Sequence, residues 1–196
     1  MPRDRSRRRV ALYGGSFDPP HICHVLAAQW ALAMLPVDEL WFVPVWQHAF
    51  GKQLSPFETR VALCRAAAAS VGPRAKVSEL ERDAGTTYTA DLLTEAVRRW
   101  PGYQWHLLVG TDVYAKRAAW SRWEQVSAMA TVHVVGRAGS NEVGDVTMTL
   151  PDVSSTALRD ELASGVGPLA RAWLPHRVRR LVERKGLYQA GASIDR

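Results

Sequence analysis

Short apolar runs alternate along the chain with longer segments of helical periodicity. This alternation is typical of a parallel sheet with helices on both faces, so the pattern predicts one doubly wound α/β domain. The predicted strands are 9–13, 40–45, 76–80, 104–109, 131–135 and 146–150. The predicted helices are 22–35, 55–70, 89–100, a short helix opening at 121, 155–163 and 175–185.

Local signals set the predicted helix boundaries. Ser55-Pro56-Phe57-Glu58 and Ser121-Arg122-Trp123-Glu124 both have the form of a capping box, with a serine N-cap and a glutamate three positions later. Pro56 is then expected at the first helical position, where proline is favoured. Gly186 is expected to end the last helix.

The unusual residues follow the predicted strands. Ligands of doubly wound sheets bind outside the carboxyl ends of the strands, so we expect these loops to meet at one crevice. The loops are 14–24, 46–52, 110–112, 136–140 and 151–159.

Composition narrows the class of protein. The 196 residues carry a formal net charge of +6, and much of it lies in an arginine-rich N-terminal segment. We interpret residues 1–8 as a basic, disordered tail rather than a nucleic-acid arm. The domain is then 9–190, followed by a tail over 191–196. Neither a secretory signal nor a run of about 18 apolar residues is present. Cys23 and Cys64 form no paired metal or disulfide spacing, which favours a reduced, cytoplasmic compartment.

The loop Gly14-Gly15-Ser16-Phe17-Asp18-Pro19-Pro20-His21-Ile22-Cys23-His24 carries the strongest chemical signal. Its glycines allow the backbone N–H groups to approach a ligand. His21 and His24 fall on one face of the first turn of a helix, where free N–H groups and the helix dipole attract anions. The pattern predicts a phosphate clamp. A metal site of His21, Cys23 and His24, or two surface histidines, are the alternatives, although three ligands within four residues suit tetrahedral geometry badly.

A second candidate phosphate segment is Val153-Ser154-Ser155-Thr156-Ala157-Leu158-Arg159. Ser155 and Thr156 offer hydroxyl groups at a helix start, and Arg159 projects from the same turn with a guanidinium that can bind phosphate bidentately. A plain N-cap followed by a solvated arginine is the alternative.

Both segments resemble motifs of one family. The first is similar to the GxFDPxHxGH signature, and the second to the ISSTxIR motif, of the nucleotidyltransferase superfamily that contains nicotinate-mononucleotide adenylyltransferases. Cys23 stands where that signature has glycine, and its thiol could crowd the phosphate. The resemblance extends from Arg9 to Tyr188 and implies a Rossmann-like fold. It also implies that Gly14, Gly15, Ser16, Phe17, Ser155, Thr156 and Arg159 bind ATP, and that His21, His24, Arg159 and Lys52 act in catalysis.

The same resemblance implies residues for the acceptor nucleotide. Thr86-Thr87-Tyr88-Thr89 resembles an SYT segment, which places Thr89 at the pyridine nucleotide, with an N-cap role as the alternative. Gly110-Thr111-Asp112 followed by Trp120 and Trp123 resembles a GAD…W…W stretch. Asp112 would accept ribose hydroxyls and Trp120 would stack on the ring, whereas Trp123 is expected to pack inside. In the loop after the second strand, Lys52 would reach the phosphates, and His48 would serve in the same loop. The alternative is that Lys52 is a solvated surface residue.

The expected activity is therefore transfer of AMP from ATP to nicotinate mononucleotide, with Mg²⁺ arriving with ATP and no protein-held metal. Nicotinamide mononucleotide and phosphopantetheine are alternative acceptors. A non-catalytic nucleotide- or nucleic-acid-binding module is the alternative from another class, motivated by the tail and the basic stretch 177–180. No membrane partner is expected, and the chain could form a homo-oligomer.

Overall fold

The strands of the protein lie parallel in one sheet with the order β3-β2-β1-β4-β5-β6. The computed structural model describes residues 7–47, 51, 53–120, 122–137 and 149–190. Within them the strands are β1 (Arg9–Gly15), β2 (Glu39–Pro44), β3 (Ala75–Val77), β4 (Gln104–Gly110), β5 (Ala130–Arg137) and β6 (Thr149–Leu150). From β1 the strand order runs through β2 to β3 on one side and through β4 and β5 to β6 on the other, so the topological switch point lies between β1 and β4. Doubly wound folds bind their ligands at this point.

Helices cover both faces of the sheet. In the same residues they are α1 (Ile22–Met34), α2 (Phe57–Val71), α3 (Leu80–Asp83), α4 (Thr89–Arg99), α5 (Thr111–Ala115), α6 (Trp123–Met129), α7 (Ser155–Leu162), α8 (Pro168–Trp173) and α9 (His176–Lys185), with a 3₁₀ turn at Arg117–Ala119. No helix in the described ranges combines the length and the apolar character needed to cross a bilayer.

Alternate residues of the strands enter two separate cores. Ala11 of β1 and Phe42 of β2 pack beneath α1, α2 and α9, whereas Leu12 and Val43 pack with α4 and α6 on the other face. All four side chains are almost completely buried. A sheet that is buried on both faces explains why its strands read as continuous apolar runs.

Both predicted capping boxes are wrong. The N-cap of α2 is Pro56 and not Ser55, whose backbone N–H instead donates to the carboxylate of Asp18 (3.0 Å). The N-cap of α6 is Arg122, in the left-handed region at φ 62°, whereas Ser121 lies outside the described residues. A tertiary contact has thus replaced the local capping interaction at Ser55.

The third strand and several connections also differ from the prediction. The strand predicted over 76–80 spans Ala75–Val77, and Leu80 begins α3. The helices α3, α5 and α8 have 4, 5 and 6 residues, too few for a periodic pattern to be recognised. Gly186 ends α9 in the left-handed conformation (φ 60°), as predicted. Of the predicted strand 146–150, only β6 falls within the described residues.

Candidate active site

A cavity of about 380 Å³ opens at the carboxyl ends of β1, β4, β5 and β6. Four of the five loops expected at the crevice contribute to it, because parallel strands end at the same edge. Residues 46 and 47 of the remaining loop do not line this cavity. Its walls include the predicted residues Gly14, Gly15, Ser16, Phe17, His21, His24, Asp112, Ser155, Thr156 and Arg159.

The histidine loop is shaped by a buried aromatic ring. Phe17 adopts a positive φ of 47° and is 1% exposed, with its ring edge-on to Tyr13, His24 and Phe42. A β-carbon on Gly15 would stand 3.0 Å from that ring. A side chain at position 15 would therefore press on the Phe17 ring, and glycine avoids this contact.

His21 and His24 lie together at the start of α1, as predicted. His21 is the N-cap residue, and the two ring centroids are 3.9 Å apart. The backbone N–H of His21 donates to Nδ1 of His24 (3.0 Å). An imidazole nitrogen that accepts a hydrogen bond carries no proton, so the neutral ring of His24 is protonated at Nε2 and is a donor there. This hydrogen bond fixes the orientation of the His24 ring and leaves Nε2–H as its donor.

Asp18 anchors the histidine loop through buried hydrogen bonds of its carboxylate. It is 1% exposed, and its carboxylate accepts hydrogen bonds from the Ser55 N–H (3.0 Å) and from the hydroxyl of Tyr188 (2.7 Å). Tyr188 follows α9, so the end of the domain is tied to the loop after β1. A buried carboxylate is stable only when such donors surround it.

The second phosphate segment forms the start of α7. Ser154 is the N-cap and accepts from the N–H of Ala157 (3.1 Å). Ser155 donates its hydroxyl to the carbonyl of Pro19 (2.9 Å). Arg159 donates to the carbonyl of Asp18 (2.6 Å) and to the hydroxyl of Thr156 (3.3 Å). The two motifs therefore form one structure, joined at Asp18 and Pro19.

Asp112 also lines this cavity, from the first turn of α5. A β-carbon on Gly110 would be 2.7 Å from a carboxylate oxygen of Asp112. Glycine at the end of β4 thus makes room for this carboxylate, which is exposed and borders the cavity.

The other predicted acceptor residues do not line this cavity. Thr89 is the first residue of α4, and the N-cap is Tyr88, so the alternative N-cap role for Thr89 is wrong. Trp120 is half-buried and edge-on to Trp123, with centroids 5.6 Å apart; Trp123 also contacts Tyr114, in agreement with its predicted packing role. His48 and Lys52 lie outside the described residues.

A second, more open cavity of about 580 Å³ lies beside Thr86, Thr87 and Tyr88. Gln47, from the loop after β2, and Asp91 of α4 complete part of its wall. Thr86 donates its hydroxyl to Asp91 (3.1 Å) and accepts from the N–H of Tyr88 (3.1 Å), which orders the segment before α4.

Cys23 is buried, and its Sγ lies 3.5 Å from the carbonyl oxygen of Pro151. Both residues border the first cavity. In the part of the chain that the structure describes, no three His, Cys, Asp or Glu side chains are grouped as metal ligands. The alternative of a metal bound by His21, Cys23 and His24 therefore has no support in the geometry.

Sequence reasoning missed several residues of the site. Val109 reaches the cavity from the end of β4, and the strand-end pattern could have identified it, as it did Gly136 in the predicted loop 136–140. Arg60 and Glu81, buried behind the histidine loop, had no local signal because arginine and glutamate on short or amphipathic segments are usually solvated.

Comparisons with known proteins agree with this architecture. Residues 12–161 match the cytidylyltransferase-like family. A curated protein of Anaeromyxobacter sp. (strain K), named "Probable nicotinate-nucleotide adenylyltransferase", is 43% identical over 185 residues, covering 93% of this chain and 97% of the relative. A protein of Myxococcus xanthus with the same name is 39% identical, covering 92% and 94%.

Solved structures share the fold. Plasmodium falciparum nicotinic acid mononucleotide adenylyltransferase, in a complex with NaAD, superposes with a TM-score of 0.78 at 17% identity. The match covers 93% of this chain and 98% of the Plasmodium chain. At this identity the likeness establishes the architecture, and it confirms the predicted Rossmann-like, doubly wound sheet.

Proposed function

Since the chain belongs to the nicotinate-nucleotide adenylyltransferase family, within the cytidylyltransferase-like nucleotidyltransferases, we propose that it transfers AMP from ATP to nicotinate mononucleotide. The products are nicotinate adenine dinucleotide and pyrophosphate. The observation that carries this proposal is the junction of the two candidate phosphate segments in one cavity, where Arg159 donates a hydrogen bond to the carbonyl of Asp18 and His21 and His24 also line the wall.

The reaction is an in-line displacement at the α-phosphorus of ATP. A phosphate oxygen of the acceptor forms the new P–O bond, and the bond between the α-phosphorus and the bridging oxygen to the β-phosphate breaks, so that pyrophosphate leaves with the electron pair. No protein nucleophile is needed, and the acceleration comes from positioning and from stabilisation of the developing negative charge.

The residues divide this task by position. The Nε2–H of His24, fixed by the contact of Nδ1 with the His21 N–H, donates to a phosphate oxygen as charge develops. His21 lies beside it. Arg159 and the start of α7 at Ser155 and Thr156 bind the triphosphate, since a guanidinium and helix N–H groups both favour anions. Gly14, Gly15, Ser16 and Phe17 form the loop that the nucleotide approaches.

A divalent cation is expected with this chemistry, and we propose that Mg²⁺ arrives bound to ATP. Mg²⁺ commonly keeps several waters and binds substrate phosphates with few protein ligands. Such a mode of binding suits this cavity, because Asp112 is the one carboxylate among its described lining residues. When bound, the ion neutralises phosphate charge.

The acceptor is proposed to lie between the two cavities. Asp112 would accept ribose hydroxyls, Thr89 and the segment before it would contact the pyridine nucleotide, and Trp120 would stack on the ring after rotating away from Trp123. Lys52 is proposed to reach the phosphates. The second cavity, which borders Thr86–Tyr88, supplies space for this nucleotide.

A compartment and an assembly are also proposed. Cys23 and Cys64 are both buried and show no disulfide spacing in the sequence, which suits a reduced cytoplasmic environment. A homo-oligomer stays a prediction, which sedimentation of the purified protein would test. Neither nucleic acid nor membrane is a proposed partner.

The test is pyrophosphate release from ATP and Mg²⁺ with a panel of acceptors: nicotinate mononucleotide, nicotinamide mononucleotide and phosphopantetheine. We expect the highest kcat/KM with nicotinate mononucleotide. A preference for phosphopantetheine would refute the pyridine acceptor, and absence of pyrophosphate release with every acceptor would favour a non-catalytic binding module.

A further inference from the structure

A buried arginine lies behind the histidine loop. Arg60, on α2, is 1% exposed. Its guanidinium donates to four backbone carbonyls, those of Ser55 (2.9 Å), Val45 (2.5 Å), Ser16 (3.3 Å) and Trp46 (3.4 Å). One side chain therefore contacts three segments that are far apart in the sequence: the loop after β1, the loop after β2 and the approach to α2.

Two buried acids, Asp18 and Glu81, act on the charge of Arg60, and burial raises the pKa of Glu81 to about 7. Burial lowers the pKa of Arg60, and the negative charges of Asp18 and Glu81 oppose that effect. A guanidinium keeps its charge under such conditions. Its five donors point in fixed directions, so the four carbonyls that it binds are also fixed relative to one another.

Glu81 completes the arrangement from the other side. It is 7% exposed, and its carboxylate accepts from the backbone N–H of Trp46 (2.5 Å). Glu81 and Arg60 thus hold Trp46, at the exit of β2, by both its backbone N–H and its backbone carbonyl.

The clamped segments border the two different cavities. Ser16 lines the cavity that contains His24 and Arg159. Gln47, directly after Trp46, lines the second cavity beside Thr86–Tyr88. Arg60 therefore connects the loop that lines the phosphate site with the exit of β2 beside the wall of the proposed acceptor site.

We propose that Arg60, supported by Glu81, is a positioning residue for adenylyl transfer: it sets the distance between the histidine loop and the exit of β2, and so aligns the acceptor phosphate with the α-phosphorus of ATP. This inference rests on the proposed function. A misplacement of about 1 Å is enough to slow a transfer reaction by roughly 100-fold, although each substrate is still bound by its own residues.

The test compares Arg60→Met with the control Arg74→Met, at an exposed arginine. Arg74 also donates to three carbonyls, those of Leu32, Val37 and Asp38, but at the amino end of the sheet, away from both cavities. For Arg60→Met we expect kcat to fall by about 10- to 100-fold. The Kd values for a non-hydrolysable ATP analogue and for nicotinate mononucleotide, each measured alone by calorimetry, should stay within about threefold of wild type. Arg74→Met should lose thermal stability and keep its kcat.

Two further variants decide the outcome if Arg60→Met does not fold. Arg60→Lys keeps the charge but cannot reach all the carbonyls, and Glu81→Val removes the acceptor of the Trp46 N–H. Both should lower kcat without a matching loss of binding. Glu81→Gln retains an acceptor at that place and should lose less kcat than Glu81→Val.

Equal kcat in the folded Arg60 and Arg74 variants would overturn the positioning role. So would a loss of kcat that is fully matched by weaker binding of the ATP analogue. These outcomes differ from failure of the proposed function, in which the wild-type protein itself releases no pyrophosphate with any acceptor.

Discussion

Arg159 donates a 2.6 Å hydrogen bond from its guanidinium to the backbone carbonyl of Asp18, across 141 positions of sequence. A second donor of the same guanidinium contacts the hydroxyl of Thr156 at 3.3 Å. The arginine is thereby oriented before a nucleotide arrives. Preorganised donors stabilise an anion more effectively than donors that must first be ordered.

Arg159→Met should raise the KM for ATP and lower kcat/KM by about 10- to 100-fold, since a hydrogen bond to a charged group contributes about 1.5–3 kcal/mol. Arg159→Lys should recover only part of the loss, because one ammonium group cannot bind the Asp18 carbonyl and a phosphate with the geometry of a guanidinium. Steady-state kinetics with varied ATP measure this. Arg177→Met, on the exposed side of α9, is the control. Unaltered ATP saturation in Arg159→Met would show that this arginine does not bind the triphosphate.

Cys23→Gly tests whether the thiol crowds the phosphate. The Sγ contacts the carbonyl of Pro151, so we expect the KM for ATP to change by less than about threefold. Glycine within a helix and the loss of a buried side chain should lower the free energy of unfolding by about 1–2 kcal/mol. Cys64→Gly, on α2, should be destabilised in the same way with no effect on KM. A large fall in KM in Cys23→Gly alone would mean that the thiol does obstruct ATP.

The alternation of strands and helices was predictable from the sequence because the central strands β1, β2 and β4 are mostly buried on both faces and read as apolar runs. The capping signals at Ser55 and Ser121 were misleading, since local propensity at Ser55 is overridden by its contact with Asp18. Short helices such as α8 leave too little periodicity to be recognised.

The cavity was predictable where it is built from contiguous motifs. His21 and His24 are three residues apart on one turn, and Ser155 and Arg159 share another, so their proximity follows from helix geometry. Arg60 and Glu81 act through backbone groups from distant segments, and no spacing rule links them. Only the three-dimensional structure brings them behind the histidine loop.

A histidine pair predicts acid sensitivity of the fold. Nδ1 of His106 and Nε2 of His133 are 2.8 Å apart on β4 and β5. Burial lowers the pKa of His106 to about 4 and also lowers the pKa of His133. In the unfolded chain the two histidines bind protons with the usual pKa of about 6.5, whereas in the folded protein they bind protons only at lower pH. The free energy of unfolding should therefore fall as the pH is lowered from 6.5.

Between pH 6.5 and pH 5 the free energy of unfolding should fall by on the order of 2 kcal/mol for one such histidine. Urea unfolding at a series of pH values measures this change. His106→Gln should flatten this dependence, and His176→Gln, at an exposed position of α9, should not. If His106→Gln has the same pH dependence as wild type, the buried pair is not its source.

We expect the paired histidine loop and α7 to catalyse adenylyl transfer to nicotinate mononucleotide. The most direct measurement is the rate at which nicotinate adenine dinucleotide and pyrophosphate form from ATP and nicotinate mononucleotide, for wild type and His24→Ala at saturating substrates. We expect stoichiometric products from wild type and a fall in kcat of about 100-fold or more in the variant. A folded His24→Ala protein that forms both products near the wild-type rate would contradict the account.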